Sequence, residues 1–263
     1  MIEAYTQKIF FVDNDFLEDL REESLAEFKE FIEPQVDTQI IKLPATGEQI
    51  NELIAYMPPS EIRVGNVIAK AGYTDQFGSI DEFAEDYALR KYRLWVQLCI
   101  TLGAKKVSVK DIEDVSIEQQ DKSDLDVGLS VTSPIGSGEA GVKRNSNKAS
   151  DEVNKRTMGL TAEATGGQPD LEAAEEMLKQ YGLFKDDMFR SIYEMRRLKS
   201  NQLTKHEFTL DLTKDIKRMF DSSTKAKLSA MSKIYKGRVD VSVASKSLEK
   251  ARTAMKLSIV VDF

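Results

Sequence analysis

Apolar positions recur every three to four residues through most of the N-terminal part and every two residues through much of the remainder, which predicts helices first and strands later. Lys8 to Val12 (KIFFV) reads as a short buried strand. Asp13 or Asn14 then caps an acidic helix running to about Glu33, with Phe16, Leu17, Leu20, Phe28, Phe31 and Ile32 as its stripe and Pro34 as its stop. After a mixed segment, a helix is expected over 46–56, Pro58-Pro59 punctuates the chain, and Ile62 to Ala69 reads as a strand or short apolar element. The clearest helical signature is Ser79 to Leu102. Ser79 and Glu82 have capping-box spacing, and Ile80, Phe83, Ala84, Tyr87, Leu94, Trp95, Leu98 and Leu102 form a stripe; Gly103 stands where a C-terminal cap belongs. The only tryptophan and the only cysteine lie on it, and both are expected to be buried structural residues.

From Lys105 the period becomes two: Val107 and Val109, then Val115 and Ile117, then the polar stretch Ser123 to Gly167. In that stretch Val127, Leu129 and Val131 alternate with polar residues, and a weaker alternation resumes at Met158, Leu160 and Ala162. Helices are expected from Asp170 to about Tyr181, from Asp186 or Asp187 to about Lys199, and from about Lys214 to Tyr235. Strands are expected at Phe208–Leu212, around Val239, Val241 and Val243, and over Leu257–Phe263. The pattern as a whole predicts an α+β fold: an antiparallel, partly solvent-facing sheet with long amphipathic helices packed on one face. The organisation expected is a mostly helical part, 1–104, and a strand-rich part, 105–263, carrying an extended hairpin region at 123–167, or else one continuous domain.

With 263 residues, 41% of them apolar, the chain has material for a core. A formal charge of -7 argues against nucleic acid as a partner. The charge is uneven, with nine acidic and two basic residues from Asp13 to Glu33 against twelve basic and four acidic from Lys214 to Lys256. Two such blocks are either solvated faces or surfaces that attract each other between protomers; a basic face also suits anionic lipid. Cys99 alone makes no disulfide framework, and the first residues lack a basic stretch followed by a long apolar run, so a cytoplasmic protein is expected.

The candidate chemistry is sparse. Val12-Asp13-Asn14-Asp15 after an apolar strand has the placing of an aspartyl nucleophile, but helix capping explains Asp13 better because no matching lysine or second carboxylate stands at another strand end. Gly136-Ser-Gly138-Glu-Ala-Gly141 spells G-x-G-x-x-G without the apolar-striped helix a phosphate cradle requires, so it reads as a turn between strands. His206, the sole histidine, shares the phase of Phe208 and Leu210 and reads as an inward-facing structural residue. No cofactor and no metal site are expected. The reading is therefore a non-enzymatic cytoplasmic protein acting through protein-protein interaction or self-assembly, with a second copy or another protein as partner. Val127, Leu129, Val131, Val142, Met158, Leu160 and Ala162 are its candidate contact residues. The alternative is a pore-forming protein that inserts those same amphipathic β-hairpins into an anionic membrane after a trigger.

Overall fold

The computed structural model describes residues 2, 5–117, 160–198, 203–236 and 242–263. In chain order its elements are β1 (Lys8–Val12), α1 (Asn14–Glu23), α2 (Leu25–Ile32), β2 (Thr38–Lys42), α3 (Gly47–Leu53), β3 (Val67–Ala69), β4 (Gly78–Ser79), α4 (Phe83–Thr101), β5 (Lys106–Ser116), β6 (Thr161–Glu163), α5 (Leu171–Gln180), α6 (Asp187–Arg197), β7 (Lys205–Asp211), α7 (Thr213–Met219), α8 (Ser222–Ile234), α9 (Ser242–Lys250) and β8 (Thr253–Asp262). The fold is α+β. Its strands form two four-stranded sheets, ordered β2-β1-β3-β4 and β6-β5-β8-β7. Every pairing among them is antiparallel except β1 with β2, which is parallel. The N-terminal part thus holds a sheet as well as helices, because the continuous apolar run of β1 has to be covered on both faces.

Several elements are more finely divided than their periodicity implies, and the reason each time is a local polar cap. Ser24 splits the acidic helix: its hydroxyl accepts from the Glu27 amide while its own amide donates to the Leu20 carbonyl. Asp221 likewise divides 214–235, capping α8 through the Thr224 amide. Ser79 is not a helix cap but part of β4, with its hydroxyl on Asp81, so α4 begins at Phe83. The strand expected around Val239–Val243 is corrected at its end. Residues 237–241 lie outside the described ones, and Ser242 and Val243 open α9, where Val243, Ala244, Ser247 and Ala251 are buried at helical spacing.

The described residues divide into two compact units that interleave along the chain. The first comprises Met1–Arg90, Leu178–Lys185 and Lys214–Arg252, and the second Lys91–Met177, Asp186–Thr213 and Thr253–Phe263. In the first unit, Ile9 and Phe11 of β1 pack with Ile41, Leu43, Leu53, Met57, Ile68 and Phe77 on one side of the sheet. On the other side Phe10 meets Phe31, and Phe16 lies between Phe31 and Tyr235 with ring centroids about 5 Å away.

In the second unit β8 is central, flanked by β5 and β7. Trp95 of α4 packs against Phe189 of α6 and Phe208 of β7, covering one face of that sheet. Arg196 is 4% exposed; it donates to the carbonyls of Leu102 and Leu203 and lies over the Phe263 ring. Asp186 caps α6 and pairs with Lys91 at 2.9 Å.

Cys99 is fully buried here, and burial pushes its thiol far above the ordinary range. A native sample is expected to resist an aromatic disulfide reagent, with labelling appearing only as the second unit unfolds in denaturant. Labelling in native buffer within minutes would contradict this packing.

Candidate interaction edge along the second strand

The register of the parallel pair runs from Lys8 opposite Thr38 to Val12 opposite Lys42. The Lys8 amide donates to the Asp37 carbonyl at 2.9 Å, and the Leu43 amide to the Val12 carbonyl at 2.7 Å. In a parallel ladder alternate residues face the partner strand with both main-chain groups. Asp37, Gln39, Ile41 and Leu43 therefore turn theirs toward β1, while Thr38, Ile40 and Lys42 turn theirs away from it. The outward side of Thr38 is used locally: its amide donates to the Gln35 carbonyl and the two residues form an antiparallel bridge, so the open part of the edge is Ile40 and Lys42. Among the described residues no strand pairs with the far side of β2.

A groove of about 520 Å³ runs beside this edge. Residues 39–44 line it, together with Ile2, Asn14 and three residues of α3: Gln49, Glu52 and Leu53. The Ile2 amide donates to Glu52 Oε1 at 2.7 Å, which holds the Glu52 carboxyl below its usual range. The Thr46–Gln49 capping box fixes the start of α3. Among the described residues the long open edge of the second sheet, β7, is built differently. Its outward residues Lys205, Glu207, Thr209 and Asp211 are mostly charged, and ion pairs join Lys205 to Glu207 and Lys256 to Asp211. Such charges discourage strand addition. On β2 the sole charged residue is Lys42.

The amino end of β2 is anchored from below. Lys8 is fully buried, and its ammonium lies 3.0 Å from Asp37, 3.1 Å from Asp221 and 2.9 Å from the Thr224 hydroxyl. Burial raises the Asp221 carboxyl, but the Thr224 amide and the Lys8 ammonium outweigh it and hold it below the usual carboxylate range. At the carboxyl end of β1, Asp13 Oδ1 accepts from the Phe16 amide at 2.9 Å and from the Tyr235 hydroxyl at 3.2 Å. That is helix capping, as its sequence context indicates.

The acidic and basic blocks meet within the first unit. Lys233 of α8 pairs with Glu23 and Glu27, and buried Lys227 donates to the Glu30 and Phe31 carbonyls at the end of α2. Lys227 and Lys233 of the basic block are thus used inside one chain.

Of the residues singled out in sequence, Val127, Leu129, Val131, Val142 and Met158 lie outside the described ones, as do Gly136–Gly141. Leu160 is buried in the second unit, its carbonyl accepting from the Tyr92 hydroxyl at 2.8 Å and the Val109 amide at 3.0 Å. Ala162 is half-buried on β6, opposite Val107. His206 is half-buried and stacked on Phe208, and burial pushes its imidazole below the ordinary range. Among the described residues no three His, Cys, Asp or Glu side chains gather as metal ligands, and no helix is long and apolar enough to cross a membrane.

Comparisons with protein-family models, with curated proteins and with solved structures give no match. The chemistry of the edge itself is the guide to function. Sequence reasoning missed β2 because adjacent Ile40 and Ile41 supply neither a two-residue nor a helical rhythm. The available signal was the KIFFV run, whose two apolar faces demand neighbouring strands.

Proposed function

We propose that the protein is a cytoplasmic, non-enzymatic interaction protein that offers the open edge of β2 as a ladder for an extended polypeptide segment. The observation that carries this reading is the outward-facing main chain of Ile40 and Lys42, on a strand with little charge to repel a neighbour and a groove beside it. Main-chain hydrogen bonds would supply affinity, and the groove would select side chains at alternate positions. The cytoplasmic placing is supported by a lone, buried and unpaired thiol.

Proline at position 40 is the discriminating change. The Ile40 amide makes no bond to β1, so Ile40→Pro removes a donor from the open edge and leaves the β1–β2 ladder intact. The probe is a panel of synthetic nonapeptides alternating valine and threonine, with lysine, glutamate or no charge at the centre. The best binder is expected to protect the Ile40 and Lys42 amides from hydrogen exchange, and to lose about tenfold or more in affinity against Ile40→Pro. Peptides that bind both proteins equally, or that leave both amides unprotected, would refute the reading.

A further inference from the structure

We infer that Gln35 is a stop that limits how far an incoming strand can pair along this edge, and that Ser223 of α8 holds it in place. This rests on the reading of β2 as an interaction edge and names the class of segment it takes: a short extended one, paired beside Ile40 to Lys42 and no further. An added strand lies on the outward side of β2, along the line that an outward partner of Thr38 occupies. Gln35 already stands there. It forms an antiparallel bridge with Thr38, whose amide donates to the Gln35 carbonyl at 3.3 Å. A strand running along Lys42 and Ile40 therefore meets the Gln35 main chain where it would next pair with Thr38. At the other end, two residues beyond Lys42, Pro44 has no amide to donate. The outward amides between these limits are those of Ile40 and Lys42, which match an extended segment of about five residues.

What fixes the stop is the first turn of α8. The Gln35 side chain donates through Nε2 to the Ser223 hydroxyl. Two residues along the same turn, Asp37 lies 3.0 Å from the Lys8 ammonium, which is also 3.1 Å from Asp221, the cap of α8. The turn 35–38 is thus tied at two points to one helix start. Pro34 and Val36, on either side of Gln35, are both exposed, so apolar packing does little to hold it. Of the two ties, the one through Lys8 also supports β1, whereas the one through Ser223 reaches Gln35 directly. Loss of the Ser223 hydroxyl should let Gln35 move off Thr38 and lengthen the open edge by one outward position, adding the Thr38 amide and carbonyl to the ladder.

The test uses the full chain in three forms: the parent, Ser223→Ala and Ser223→Thr. Each is titrated with the best-binding nonapeptide of the charge panel and with five-residue truncations of it taken from either end. In the parent, the best five-residue form is expected to bind within about twofold of the nonapeptide. In Ser223→Ala the nonapeptide should bind about threefold or more tighter than in the parent, through the added hydrogen bonds, while the five-residue form is unchanged. Without peptide, the Thr38 amide should exchange with solvent faster in Ser223→Ala than in the parent, and the bound nonapeptide should slow it again. Ser223→Thr keeps a hydroxyl at this position and should behave as the parent. A parent that binds the nonapeptide tenfold or more tighter than every five-residue form would show the strand passing Gln35, and would overturn the stop while the edge reading stands. Unchanged Thr38 exchange and unchanged nonapeptide affinity in Ser223→Ala would overturn the part given to Ser223. Failure of every peptide to bind the parent would overturn the edge reading and the stop together.

Discussion

Gly103→Ala is expected to destabilise the second unit by roughly 2–5 kcal/mol, the sum of a left-handed backbone penalty and an overpacking penalty. Gly103 comes directly after α4 with φ +90°, a conformation that side chains rarely adopt. A Cβ there would drive into the Gly167 carbonyl, which is main chain and cannot swing aside, and would press on the Arg196 guanidinium. The same two glycines are also hydrogen-bonded, the Gly167 amide donating to the Gly103 carbonyl at 3.2 Å, so the turn after α4 and the segment after β6 hold each other. Gly166→Ala is the matching control. It too has positive φ, but its Cβ would meet the Lys105 side chain, nearest at Cγ, which can turn aside where main chain cannot, and a smaller loss of about 1–2 kcal/mol is expected. Denaturant unfolding followed by Trp95 fluorescence measures both, since the sole tryptophan is fully buried in this unit. Equal midpoints for the two variants would show that the glycine-to-glycine contact does not bear on stability.

Gly103 also marks how far the sequence could be read. Its place at the end of an amphipathic run was enough to predict a helix stop, and the structure closes α4 there. Nothing in the sequence indicated that the stop would be clamped by Gly167, because that contact is made across the undescribed stretch between β5 and β6. The α+β class was legible because α6, β7 and the final strand each carry one uninterrupted period, with Asp186 as an ordinary cap for α6. Asp13 was legible as a cap because the acceptor it offers lies three residues from the donor that needs it. The two charge blocks were visible as well, but not their use. Whether Lys233 reaches Glu23 and Glu27 of its own chain, or those of another protomer, depends on a turn of the fold that brings α8 back to α1 and α2. The candidate edge was hidden for a related reason, since β2 acquires its identity from β1 beside it and from no pattern of its own.

Lys8 is the extreme case of a residue whose role only the fold reveals, and Lys8→Met is expected to destabilise the first unit by about 3 kcal/mol at pH 7. Removing one partner of a buried pair costs about 3–5 kcal/mol. The lower end applies because Asp37 and Asp221 retain 34% and 42% of their side-chain exposure and water screens them. Methionine keeps the buried apolar stem but leaves two carboxylates without the cation between them. The pH dependence separates charge from packing. Asp221 is held below its ordinary range in the folded protein, so it contributes stability in full above the unfolded carboxylate value of about 4 and loses it as pH falls through the lowered folded value. The variant lacks the ammonium that helps to depress this group, so it has less of that contribution to lose. The gap between parent and variant is therefore expected to be widest at neutral pH and to narrow steadily on acidification below about pH 4. Urea unfolding by far-ultraviolet circular dichroism at a series of pH values measures the gap. A gap of constant size from neutral to acid pH would show that Lys8 acts by filling space; a gap that closes would show that it holds the amino end of β2 by charge, and with it the geometry of the edge.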